Sequence, residues 1–316
     1  MMIIGVDIGG TQTRAVIAHK TGIADSVEEM TVKTGSSKAL PRQVMSMIDI
    51  LLKRNGIEKD GIERVGVSAP GPFGLNNGRK VLTTPNICGG LNAESGPDND
   101  WVEIPIEEEL NRHFDIVMEN DAISSALVHK RLINNIPDDF IYITWSTGIG
   151  GGIVTGGSPV RGSRGNASHI GHMIVMKGGP LCNCGNRGDM ESIASGSAIE
   201  RAAGMEASRV FESYDRSDES RSIINNAAEG FTAGLVSLSA IFDTELFIIG
   251  GSVFTSNSRM LTDIIERTLG DYSRLFTRHI RIAQTPFDDL ALLSGLINVM
   301  PEDWYSSWSK NMDFNT

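Results

Sequence analysis

The chain of 316 residues predicts an α/β protein built of two similar halves, and three observations carry that reading. A strand, a glycine turn and a second strand occur twice, over residues 3–19 and 140–155. Strand-like apolar runs alternate with amphipathic helical patterns. The length suits two domains, and no low-complexity linker interrupts it, which predicts closely packed domains.

In order, residues 2–8 and 13–19 read as a hairpin closed by Gly9-Gly10, with a third strand over 27–32. Pro41 opens a helix to about residue 53, its Val44, Met47, Ile48, Leu51 and Leu52 at helical spacing. Residues 64–69 form a strand ending in Pro70-Gly71-Pro72, and 73–100 read as a polar, loop-rich segment. A short helix over 106–114 precedes a strand over 116–119 and a helix over 122–133. After Pro137 the opening pattern recurs: strand 140–145, glycine-rich turn 146–152, then a strand beginning at 153. Helix 230–242, strand 245–249, and helices 259–269 and 290–299 complete the pattern before a polar tail with Trp304 and Trp308.

A formal charge of −11 argues against a nucleic-acid surface. Three cysteines, two of them one residue apart, make no disulfide framework and fit a reduced compartment. The N-terminus lacks the basic region of a signal peptide, and no apolar run of membrane-spanning length occurs. These readings predict a cytoplasmic protein with no membrane partner.

Five stretches carry chemistry. Asp7-Ile-Gly-Gly-Thr-Gln-Thr13 follows the first strand; Gly9 and Gly10 would let amides approach phosphate, Thr11 and Thr13 would add hydroxyls, and Asp7 would hold a hydrated Mg²⁺. A tight hairpin turn explains the two glycines equally. A second run, with Thr147, Gly148, Gly150 and Gly151, sits at the equivalent place in the second half, so that the two would clamp a nucleotide. Glu119-Asn120-Asp121 joins a strand to a helix, where Asn and Asp serve as caps or as the base of phosphoryl transfer. Gly250-Gly251 is a strand-to-helix turn or a surface for adenine. The polar stretch 162–196 brings His172, Cys182, Cys184 and Asp189 within eighteen residues, the ligand count of a closed zinc site. Two buried cysteines and a solvated Asp remain the alternative.

Together these residues resemble the ROK family (repressor, open reading frame, kinase). The resemblance spans nearly the whole chain: D-x-G-G-T, E-N-D, T-G-I-G-G-G and, most specifically, G-H-x9-C-x-C-G-x-x-G-x-x-E. It implies two actin-like, ribonuclease H-like domains with an ATP/sugar cleft between them. The small N-terminal domain would take residues 1–120 plus a C-terminal helix over 296–316, and the larger domain 121–295 would carry the metal and sugar loop. It implies transfer of the γ-phosphoryl of ATP, with Mg²⁺, to a hexose hydroxyl. Asp121 would be the catalytic base, and Gly71, Asn86, Asn120, His169, His172 and Glu191 would contact sugar. His172 would also bind a structural Zn²⁺, and the protein would form a homodimer, extending to a tetramer.

Two departures from the family pattern stand out. Asp189 occupies the place of a third cysteine and is a harder ligand than thiolate, which puts zinc in question. His169 occupies the place of the usual Glu in E-x-G-H; a neutral imidazole offers one donor and one acceptor. H-x-G-H resembles bacterial-type N-acetylmannosamine kinases, which favours N-acetylmannosamine over glucose. Some members of the family are repressors with an added DNA-binding domain, for which this acidic chain, beginning at its first strand, offers no basis. A non-catalytic assembly protein would need neither E-N-D nor the sugar loop.

Overall fold

The computed structural model describes residues 1–91 and 96–312; residues 92–95 of the predicted loop segment and 313–316 of the predicted C-terminal helix lie outside it. The chain forms two compact units, the first of Met1–Ile136, Arg161–Ala167 and Phe287–Thr316, the second of Pro137–Val160 and Ser168–Pro286. The boundary therefore falls after Ile136 and not at residue 120, because helix Asp121–Leu132 packs against helix Leu290–Ile297 of the first unit.

Unit 1 contains β1 (Met2–Ile8), β2 (Gln12–His19), β3 (Gly22–Met30), β4 (Ile62–Ala69), β5 (Phe73–Asn76), β6 (Arg79–Leu82) and β7 (Asp115–Asn120). Its main sheet has the order β3-β2-β1-β4-β7, with β1–β2 and β2–β3 antiparallel and β1–β4 and β4–β7 parallel. Leu40, Val44, Met47, Ile48 and Leu51 of helix Ala39–Asn55 cover the sheet residues Ile4, Val6, Ile8, Val65 and Val67. Unit 2 contains β8 (Phe140–Trp145), β9 (Ile149–Thr155), β10 (Ser158–Pro159), β11 (Leu246–Gly250) and β12 (Arg281–Gln284), in the order β10-β9-β8-β11-β12. Here too the hairpin side is antiparallel and the β8-β11-β12 side parallel. Helices Asp218–Phe242 and Ser258–Leu269 bury Phe231, Leu235, Leu261 and Ile265 with Ile143, Trp145, Phe247 and Ile249. The duplicated strand–turn–strand layout is thus the start of two sheets with one pattern of strand directions.

Three expectations change. The segment after Pro72 holds the β5–β6 hairpin, turned by Asn77 and Gly78 at φ 50 and 76. The second glycine run is a turn only over Ser146–Gly148; Gly150 and Gly151 lie inside β9, paired with Thr144 and Ile143. Residues 296–316 are not one helix: Leu290–Ile297 ends before Pro301, which cannot continue it, and short turns Glu302–Trp304 and Tyr305–Trp308 follow.

Helix Leu290–Ile297 lies directly on β1 and β4. A Cβ on Gly5 or Gly66 would overlap the helix backbone, and one on Gly295 the backbone of β1. This close approach puts Ser294 beside the end of β1.

Candidate active site

At the end of β1, Asp7 Oδ1 accepts hydrogen bonds from Ser68 Oγ at 2.8 Å and Ser294 Oγ at 2.9 Å. Burial pushes the Asp7 carboxyl up to about 7, against those two hydroxyls, with the neighbouring Asp121 carboxylate acting in the same direction as burial. In the following turn, the Gly9 amide donates to Gln12 C=O at 2.8 Å, so Gly9 serves the hairpin itself. Thr11 is exposed and available to a ligand. Thr13, expected to donate to phosphate, is instead fully buried against Thr31, their hydroxyls 3.0 Å apart, because it sits on the inward-facing side of β2. Asn86 is exposed, its Cβ 3.5 Å from where a side chain on Gly10 would begin, and Gly71 is half-buried in the turn after β4.

Helix Asp121–Leu132 starts where β7 ends. Asn120 caps it, its Oδ1 accepting the Ala122 and Ile123 amides at 3.0 and 3.2 Å. Asp121 Oδ1 accepts the Ala122 amide at 2.8 Å, and burial raises its pKa above the usual carboxylate range, against that bond. A desolvated carboxylate at a strand end is suited to take a proton from a hydroxyl.

In unit 2, the turn Ser146–Gly148 exposes Thr147, and Ser146 Oγ lies 2.8 Å from Ser252 Oγ, next to Gly250-Gly251. Gly251 has φ 87, and a Cβ there would overlap the Trp145 backbone, so that glycine is required by the strand-to-helix turn. Glu191, in helix Met190–Ala194, accepts the Ile149 amide through Oε2 at 2.8 Å, a contact for which Gly148 must lack a side chain. Trp145, stacked on Phe231, donates from Nε1 to Ala194 C=O at 2.6 Å and fastens the same helix. Gly151 and Gly171 clear room for the turn Ile170–His172 to sit directly on β9. That turn carries His169 and His172 with ring centroids 6.1 Å apart.

The predicted metal ligands converge. His172 Nδ1 is 3.2 Å from Asp189 Oδ2 and 3.8 Å from Cys182 Sγ, and Cys184 Sγ is 3.2 Å from Asp189 Oδ2. The four donor atoms lie within 4.8 Å of one another, close to the edges of about 3.3–3.8 Å expected for a tetrahedron around zinc. Asp189 is fully buried and does two things: Oδ1 caps helix Met190–Ala194 through the Ser192 amide at 2.7 Å, and Oδ2 faces the cluster. Burial pushes the Asp189 carboxyl up, but donors from Cys182, Ser192 and Cys184 hold it below its ordinary range. One imidazole, two thiols and one carboxylate fit zinc. His169 stands apart from the cluster, with its Nε2 buried and no protein partner.

The ROK profile matches residues 3–295. The chain belongs to the ROK family. It is 31% identical to the glucokinase of Aeropyrum pernix, over 91% of this chain and 92% of that one. To the N-acetylmannosamine kinase of Haemophilus influenzae (strain PittEE) it is 30% identical, over 90% and 91%. Its fold matches the crystal structure of a ROK glucokinase from Streptomyces griseus in complex with glucose and AMPPNP, with TM-score 0.71, 25% identity, and 95% and 99% of the two chains covered. The chain is an ATP-dependent sugar kinase with the actin-like, ribonuclease H-like fold of ROK kinases.

In this ROK kinase, sequence motifs located Asp7, Asp121, Glu191 and the metal cluster, but not the residues that hold them. Ser68 and Ser294 fix Asp7 from distant points of the chain, and nothing local in the sequence marks them. Glu119, within the E-N-D motif, is buried and paired with Arg161 at 2.6 Å. A carboxylate next to two candidate site residues was the available signal for that pair.

Proposed function

We propose that this kinase transfers the γ-phosphoryl group of ATP to the 6-hydroxyl of N-acetylmannosamine. Asp121 accepts the hydroxyl proton as O6 attacks the γ-phosphorus, and ADP leaves. Asn120 and Glu191 orient the sugar, with Gly71, Asn86 and His172 as further contacts. Gly10, Thr11, Thr147 and the amides of Thr147 and Gly148 serve the phosphates, and Gly250-Gly251 the adenine. Asp7 would hold a hydrated Mg²⁺, which would supply neutralisation of phosphate charge. His172, Cys182, Cys184 and Asp189 would hold a structural Zn²⁺ that shapes the sugar loop without joining the reaction.

The observation that carries the sugar assignment is the unpartnered Nε2 of His169. A buried imidazole nitrogen with no partner costs free energy that an amide N–H or acetyl carbonyl of the ligand would recover. Burial and the adjacent His172 lower the His169 pKa, which keeps the ring neutral and able to present either role. Glucose is the second reading, favoured by the Aeropyrum glucokinase likeness. The substitution His169→Glu tests the assignment: the ratio of kcat/KM for N-acetylmannosamine over glucose should fall by about tenfold or more. An unchanged ratio would remove His169 from sugar selection. The acidic balance speaks against a nucleic-acid partner, and the family likeness supports a homodimer or a tetramer; among the described residues no helix is long and apolar enough to cross a membrane.

A further inference from the structure

Glu119 is an unusual neighbour for a catalytic pair. Its side chain is 7% exposed, and its two oxygens have separate partners. Oε1 accepts the Asn120 amide at 3.1 Å, and Oε2 accepts Arg161 Nε at 2.6 Å. Asn120 in turn caps the helix whose first residue is Asp121. A continuous series of hydrogen bonds therefore runs from the Arg161 guanidinium, through the Glu119 carboxylate and the Asn120 peptide, to the cap that aims Asp121.

Arg161 is itself held. It opens the Arg161–Ala167 segment, the seven residues of unit 1 that interrupt unit 2 in sequence. The Ala167 amide donates back to Arg161 C=O at 2.9 Å, closing the segment into a loop whose Gly162 and Gly165 take φ 69 and 75. Asn166 then clamps the Phe73 backbone on both sides of its Cα: Oδ1 accepts the Phe73 amide at 2.7 Å and Nδ2 donates to the Phe73 carbonyl at 2.8 Å. The side chain of Asn166 behaves as a short added strand on the edge of the β5–β6 hairpin. Three residues after Asn166 the chain reaches His169.

We infer that Arg161 is a positioning residue for Asn120 and Asp121, acting through Glu119. Simple surface pairing does not account for this arrangement. The carboxylate is buried, so losing its cation leaves a desolvated charge whose relief would move residue 119 and the peptide of Asn120 with it. The inference rests on Asp121 being the base of the proposed reaction.

The test compares wild type with Arg161→Met, Arg161→Lys, the double variant Glu119→Gln/Arg161→Met, and Asp121→Asn, all in the full chain. It reads kcat, KM for sugar and for ATP, and thermal stability. Arg161→Met should lower kcat by about ten- to a hundredfold, the range of misplaced catalytic groups, with KM for ATP within about twofold. Arg161→Lys should restore most of kcat, because the cation returns to Glu119. The double variant removes the unpaired buried charge and so should regain stability, yet keep the low kcat because nothing fastens residue 119. If the double variant regains kcat together with stability, or if Arg161→Met has wild-type kcat per folded molecule, the pair serves folding only and the inference is overturned. Asp121→Asn separates the two levels: full activity there overturns the base assignment, whereas an inactive Asp121→Asn beside a normal Arg161→Met overturns the role of Arg161 alone.

Discussion

Asp7 combines two demands that oppose each other. Its Oδ1 takes two serine hydroxyls, yet burial lifts its pKa from 3.8 to about 7. The unfolded chain therefore loses this proton first as pH rises, and folding stability falls through the window between 3.8 and about 7. Above that window the folded protein carries the full cost of the charge, about 2–4 kcal/mol. Asp7→Asn should thus be more stable than wild type in thermal melts at about pH 8 without Mg²⁺, should lose that advantage at about pH 4, and should be inactive. An equal melting difference at both pH values would contradict the burial argument. Candidate residues of this kind could be named from sequence where they lie within one short motif, as for Asp7, Asp121 and Glu191. They were not where a partner comes from far along the chain: Ser294 reaches Asp7 only because three glycines bring a distant helix onto the sheet. Thr13 was misplaced for a related reason, since alternation along β2 turns it inward.

At the scale of elements, the metal loop and the helix behind it share one residue. Asp189 both faces the cluster and caps helix Met190–Ala194, and thiolate would serve only the first task. Asp189→Cys should therefore lose about 1 kcal/mol of stability when metal-free, the usual value of a cap, and gain more from added zinc than wild type does. Thermal melts with chelator and with zinc check both halves; a wild-type melt unmoved by chelator would argue against any structural metal. The departure from a third cysteine was plain in the sequence, but its capping role was not, because the start of this short helix lies inside a glycine-rich stretch with no helical periodicity. The second glycine run shows the same limit. Gly150 and Gly151 look like a flexible turn, yet they are strand residues whose missing side chains admit the turn that carries the two histidines. The β5–β6 hairpin was missed, although Asn77-Gly78 is a hairpin turn signal, because its four-residue strands are too short to show alternation.

For the whole molecule, the repeat seen as strand–glycine turn–strand became two sheets with matching strand directions, each placing a turn with an exposed threonine after its first strand. What composition and periodicity could not locate was the boundary between units: the chain crosses from one unit to the other at Ile136, Val160, Ala167 and Pro286, and the prolines at three of these crossings, Pro137, Pro159 and Pro286, look like those of any other loop. The ROK membership and the likeness to curated sugar kinases make this a sugar kinase; the proposed choice of sugar rests on a single loop histidine. The direct measurement is kcat/KM for N-acetylmannosamine, glucose, N-acetylglucosamine and mannose with ATP in a coupled assay. The account predicts that N-acetylmannosamine leads glucose by about tenfold or more. Glucose leading by a similar margin would contradict it.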